Sequence, residues 1–127
     1  MVILDTSIWI EFFKGHPPFF KQVSGLLEKN EVLALSYVFG ELLQGTKNSR
    51  ERTIIKEFWD NLPKIPEDEL IIKAGVESSR NHWVDKGIGL IDSAILIASR
   101  ESRSFIWTLD KKLIQILRKE EKFQPGL

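Results

Sequence analysis

The sequence predicts an α/β domain with a short, mostly parallel central sheet flanked by helices. Two observations carry this. Short apolar runs at 2–4, 32–35 and 105–109 are of the kind needed by strands buried on both faces. Between them lie stretches with apolar residues at helical spacing, the alternation that builds βαβ units. At 127 residues the chain has the size of one domain spanning 1–127, long enough to bury a core without staples.

Each element has its own justification. Val2-Ile3-Leu4 reads as a buried strand, and Asp5-Thr6-Ser7 brings helix N-cap chemistry. Ile8, Trp9, Phe12 and Phe13 then recur at helical spacing until Gly15 and Pro17-Pro18. Phe19, Phe20, Val23, Leu26 and Leu27 mark a second helix. Val32 to Leu35 is the next strand, with Ser36 as the cap of a helix carrying Val38, Phe39, Leu42 and Leu43. Gly45 to Arg52 is polar and basic, a loop or helix start, before Ile54, Ile55, Phe58, Trp59 and Leu62 continue at helical period to Pro63. Pro66 with Glu67-Asp68-Glu69 predicts the acidic first turn of a helix reaching about Val84. Gly87 and Gly89 mark a turn, Leu90 to Ser99 a helix, and Phe105 to Leu109 a strand. Leu113, Ile114, Ile116 and Leu117 form a last helix, and the Pro125-Gly126 tail predicts nothing.

Composition excludes several classes. With 18 basic and 18 acidic residues the net charge is zero, unlike a protein that coats nucleic acid by bulk electrostatics. The absence of cysteine excludes disulfides, thiolate zinc sites, iron–sulfur clusters and cysteine nucleophiles. No apolar run is long enough for a membrane helix, and no basic, apolar leader is visible. A cytoplasmic location is expected.

Parallel α/β sheets bind ligands beyond the carboxyl ends of their strands. Asp5 follows the first apolar run and Asp110 the last, while Glu41 lies little more than a turn beyond Ser36. Asp92 is the single charge within the apolar stretch 90–98, where an unpaired carboxylate must be neutralised, paired or bound to a metal. Singly, each has an ordinary explanation: Asp5 and Asp110 as caps, Glu41 as a solvated residue, Asp92 as half of a buried ion pair. Together they point elsewhere, because four carboxylates in one pocket repel unless a divalent cation holds them ionised. Oxygen-only ligation, without Cys or paired His, suits Mg²⁺ or Mn²⁺. His16 and His82 are isolated and carry no predicted role.

Ile3-Leu4-Asp5-Thr6-Ser7, Glu41-Leu42-Leu43-Gln44-Gly45, Asp92-Ser93-Ala94-Ile95 and Thr108-Leu109-Asp110 come in one order along nearly the whole chain. In these pieces the sequence resembles the PIN-domain nucleases, specifically the short VapC-type toxins of toxin–antitoxin pairs. The resemblance implies a PIN-like three-layer sandwich. It implies an acidic site of Asp5, Glu41, Asp92 and Asp110 holding one or two Mg²⁺ or Mn²⁺ ions, with Asp110 the least constant position. Thr6, Ser7 and Thr108 match small hydroxyl residues that support the carboxylates. The activity implied is metal-assisted hydrolysis of RNA phosphodiesters, with a VapB-type antitoxin and a second copy of the chain as partners.

An acidic site repels RNA, so basic residues belong at its rim: Lys47, Arg50 and Arg52 after Glu41, Arg100 and Arg103 after Asp92, Lys111 and Lys112 after Asp110. Trp9, Phe12, Phe13, Phe19 and Phe20 read as core aromatics, with a partner groove as the alternative. A phosphoacceptor receiver would want adjacent acids after the first strand, and a haloacid-type phosphatase an Asp where Ser7 stands. The stronger rivals share the PIN fold: an RNA-processing nuclease without an antitoxin, or a catalytically weak protein-binding module.

Overall fold

The structure is a computed structural model and describes residues 1–126. Three strands, β1 (Val2–Leu4), β2 (Val32–Leu33) and β3 (Phe105–Trp107), form a parallel sheet in the order β2-β1-β3. Val2 faces Val32 and Phe105 across the sheet, and Leu4 faces Trp107. Because β1 is the central strand, all three of its residues are buried, which is why it reads as an unbroken apolar run. Single bridges from Ala34 to Lys64 and from Ile106 to Lys122 extend the sheet slightly at its edges.

Among the described residues, seven α-helices surround the sheet: α1 (Thr6–Phe13), α2 (Phe19–Glu28), α3 (Ser36–Gln44), α4 (Ser49–Asn61), α5 (Leu70–Asn81), α6 (Leu90–Ser102) and α7 (Lys111–Ile116). Helices α1 to α4 pack as one group, while α5 packs along α6, which rests on β3 and also touches α3. The fold is an α/β sandwich, as the sequence predicts. Trp9 centres the first group, with Phe13 stacked on it at 5.6 Å and the rings of Phe12, Phe39 and Phe58 meeting it edge-on. Phe20 stacks on Phe12 yet stays half exposed. Core packing therefore accounts for most of the aromatic stripe. Among the described residues, no helix is long and apolar enough to cross a membrane.

Several element ends differ from the sequence reading. Ser36 does not cap α3 with its own side chain; the N-cap position is Leu35. Instead Glu67 reaches across and accepts from the Ser36 N–H at 2.8 Å and from its hydroxyl. Residues 67–69 are accordingly not the first turn of α5, which begins at Leu70 after Glu69 in a left-handed conformation. The same helix ends at Asn81 rather than near Val84, because His82 is also left-handed. Val84–Lys86 forms a separate 3₁₀ turn. The strand read over 32–35 pairs with β1 only at Val32–Leu33, with Ala34 bridging to Lys64 beyond it, and that over 105–109 stops at Trp107. Residues 119–121 form a 3₁₀ turn that returns the chain to β3, where Phe123 packs on Trp107.

Glu67→Ala leaves the first N–H of α3 without its charged acceptor, and its expected cost is about 1.5–3 kcal/mol. Exposed Asp68→Ala should change stability by less than about 0.5 kcal/mol. Urea unfolding of the two variants measures the difference directly.

Candidate active site

Asp5 sits where the chain leaves the central strand and enters α1. There it is both N-cap and the most buried acid of the region, 5% exposed. Its Oδ1 accepts from the Ser7 N–H at 2.6 Å and from the Ser7 hydroxyl at 2.5 Å, and its Oδ2 accepts from the Thr108 hydroxyl. Both hydroxyls are fixed in turn, Ser7 Oγ accepting from the Leu109 N–H and Thr108 Oγ1 from the Asp110 N–H, each at 3.0 Å. The Asp5 carboxylate therefore has its rotation blocked from both oxygens.

Asp110 caps α7, its Oδ1 accepting from the Lys112 and Leu113 N–H groups. Glu41 projects from the exposed side of α3, where Thr6 donates to its Oε1 at 2.7 Å. The capping roles read for Asp5 and Asp110 thus coexist with their place beside the other acids. Thr6, Ser7 and Thr108 each hold one of the carboxylates.

Asp92 stands in the first turn of α6, three residues after the N-cap Gly89, and is partly buried. The start of that helix is more open than its apolar sequence predicts, with Leu90 51% exposed. Gly87 makes the preceding turn at φ +79°, and a Cβ there would lie 2.9 Å from the Lys112 side chain. Burial pushes the Asp92 carboxyl from its ordinary 3.8 up to about 6, with the charges of Asp110, Asp5 and Glu41 adding to the rise and the Gly89 backbone pulling it back. Asp5, Asp110 and Glu41 thus all act on Asp92 across the crevice at the carboxyl ends of β1 and β3.

Among the described residues, no charged Lys, Arg or His side-chain nitrogen lies within 4.0 Å of any of the four carboxylates. The buried ion pair that would explain Asp92 conventionally is not formed. Oxygen donors of one sign, unpaired and mutually repelling, fit a hard divalent cation. They are neighbours rather than a closed cage: no three His, Asp or Glu side chains among the described residues are already gathered as a metal-binding group.

The basic residues divide. Lys47, Arg50, Arg52, Lys111 and Lys112 are exposed on α7 and around the start of α4, while Arg103 is the left-handed C-cap of α6. Arg100 lies two turns along α6 from Asp92, bonded to Glu121 at 2.8 Å and set over the Trp83 ring. Sequence reasoning missed Glu67, because its partner Ser36 is 31 residues away and nothing local announces the pairing.

The raised carboxyl of Asp92 makes stability depend on pH. Its folded value lies above the unfolded one, so its contribution is fully present below about pH 4 and is lost as pH rises through about 6. In chelator, Asp92→Asn should therefore stabilise the protein at pH 7.5 relative to wild type, by up to about 2 kcal/mol after discounting for solvent screening. At pH 4 the two should be alike. Added Mn²⁺ should reverse the order at pH 7.5 by stabilising only the wild type. Thermal unfolding at the two pH values is the measurement.

No curated protein matches the chain significantly. The family model of the PIN domain matches residues 2–119, a span that opens at β1, contains all four carboxylates and closes after α7. PIN domains are generally nucleases and typically bind divalent metals. With the sandwich fold and nearly the whole length matched, the chain belongs to the PIN domain family.

Proposed function

We propose that this protein is a metal-dependent endoribonuclease, and that it serves as the VapC-type toxin of a toxin–antitoxin pair. The observation that carries the activity is the convergence of Asp5, Glu41, Asp92 and Asp110 with no basic partner within ion-pair distance among the described residues. Asp5 and Asp92 would hold Mg²⁺ or Mn²⁺ directly, with Glu41 and Asp110 acting through water. When bound, such a cation supplies charge stabilisation at the phosphate and eases deprotonation of a water.

The chain's own residues supply position. Ser7 and Thr108 hold Asp5 in one rotamer, so that its carboxylate needs no reorganisation when substrate arrives. Thr6 aims Glu41, whose exposed carboxylate orients the attacking water. Asp110 keeps one oxygen on the α7 backbone, and its charge reaches Asp92. Lys47, Arg50, Lys111 and Lys112 draw the RNA backbone toward an otherwise repelling site. Single-stranded RNA suits such an open edge, because its backbone is accessible there.

An antitoxin partner is supported by an apolar cleft of about 460 Å³ that opens beside Thr6 and Glu41. Ile10, Phe13, Leu42, Ile54 and Ile55 line it, and an apolar peptide lying there would cover the approach to Glu41. A second copy of the chain is supported by a separate apolar face, where Ile72 is 64% exposed beside Val76 and Leu90. Ile72→Glu should then shift a dimer to monomer in sedimentation without changing the far-UV spectrum.

Purified protein should cut a small-RNA pool into discrete fragments with Mg²⁺ or Mn²⁺ and not with chelator. Asp5→Asn and Asp92→Asn should each lower the rate about 100-fold or more, Thr108→Val about 10-fold, and Asp110→Asn least among the acids. If wild type neither cleaves nor binds Mn²⁺, the nuclease reading fails. The apolar cleft would then mark a protein-binding module.

A further inference from the structure

A second pocket, of about 520 Å³, lies away from the carboxylates at the distal ends of α6 and α7. Lys86, Arg100, Arg118, Asn81, Gln115 and Trp83 line it, and no acid does. Glu121, its side chain 10% exposed, is among the described residues the one acidic partner of two of these cations. Its Oε1 takes the Arg100 Nε at 2.8 Å and lies 3.9 Å from the Arg118 Nε, while its Oε2 accepts from the Arg118 backbone. Among the described residues, Lys86 has no acid within 4.0 Å. Three cations against one carboxylate leave a local excess of positive charge in a chain whose net charge is zero.

The arrangement is preorganised for an anion. Arg100 is pinned by Glu121 on one edge and by the Trp83 ring, 5.9 Å from its guanidinium carbon, on one face. Only its Nε is used, so its terminal N–H groups have no hydrogen-bond partner among the described residues. Gln115 makes no side-chain hydrogen bond among the described residues, whereas Asn81 already donates to the Glu77 carbonyl. Trp83 is buried and covered by Arg100, which leaves no exposed ring on which a base could stack. The chemistry on offer is phosphate recognition, not base recognition.

Position decides which phosphate. Asp92 and Arg100 are eight residues apart on α6, roughly 12 Å along the helix axis. On α7, Lys111 and Lys112 stand beside Asp110, and the Lys112 side chain lies against Gly87, the neighbour of Lys86. A line of cations thus runs from the carboxylate crevice to this pocket. We infer that the Lys86–Arg100–Arg118 pocket binds a backbone phosphate of the RNA strand, a few nucleotides from the bond placed at the carboxylates. The assignment rests on the nuclease reading for its direction along the strand, and its binding can be measured without catalysis.

The test is binding of a fluorescent single-stranded RNA oligonucleotide to the full chain in chelator, across a salt series. Lys86→Ala with Arg118→Ala should weaken affinity about 10-fold at low salt and flatten the slope of log K against log salt by about 0.7 per phosphate lost. Lys86→Arg with Arg118→Lys should restore both, which a merely structural role would not require. In cleavage, KM should rise with kcat unchanged. Inorganic phosphate alone, followed by the NMR signals of the Gln115 amide and the Arg100 Nε–H, provides a second arm. Phosphate binding with unaltered RNA affinity would make this a small-anion site and overturn the assignment, as would unchanged affinity and slope with no phosphate response. If wild type binds RNA through the pocket but never cleaves, the nuclease reading fails and the pocket stands.

Discussion

The functional edge of this protein is governed by one constraint: four carboxylates share a crevice without a basic side chain, among the described residues, to neutralise them. Neutral donors do the holding instead. Ser7 and Thr108 come from segments a hundred residues apart, and each hydroxyl accepts a backbone N–H from 109–110 while donating to Asp5. Two of these four hydrogen bonds, Thr108 to Asp5 and the Leu109 N–H to Ser7, lock the exit of β1 to the exit of β3, and the other two brace each side. That lock keeps a negative charge in place without cancelling it. A lysine in the same position would hold Asp5 as firmly, and would leave the crevice with less affinity for a divalent cation.

The same constraint explains the helices around the site. Asp5 and Asp110 begin α1 and α7, and Asp92 lies in the first turn of α6, so three of the acids face the positive end of a helix dipole. Asp5 and Asp110 also have backbone N–H donors from those first turns. At Asp92, burial and the charges of the neighbouring acids outweigh the help from the Gly89 backbone, and its carboxyl is displaced upward. Cap and site are therefore one feature read twice.

Much of the fold was legible because its signals are local. β1 sits between two strands, so its apolar run is continuous, and α6 is buried over Ser93–Ser99, as its near-uniform apolarity predicts. Asp5 and Asp110 were visible because each follows a strand. What stayed hidden depends on distance. Glu67 supports the start of α3 from another segment, so its run of acids imitates a helix start three residues too early. Glu69 and His82 adopt left-handed conformations that ordinary residues announce weakly, which is why both ends of α5 moved. The pairing of Thr6 with Glu41 and the meeting of Lys86 with Arg118 likewise need the folded chain.

A net charge of zero is usually taken to argue against nucleic-acid binding, and for a uniform surface it would. Here the average hides a segregation: an acidic crevice at one end of α6 and α7, and a basic pocket at the other. At physiological salt, exposed charges farther apart than about 8 Å scarcely sense one another. Along α6 the two regions are separated by more than that, so neither cancels the other's field. A polyanion sees attraction and repulsion in sequence along its length rather than their sum. Such a surface can bind a strand weakly at one point while presenting another point to a cation-dependent site. Net charge then predicts little about affinity, and the spacing between the regions predicts where along the strand the crevice falls.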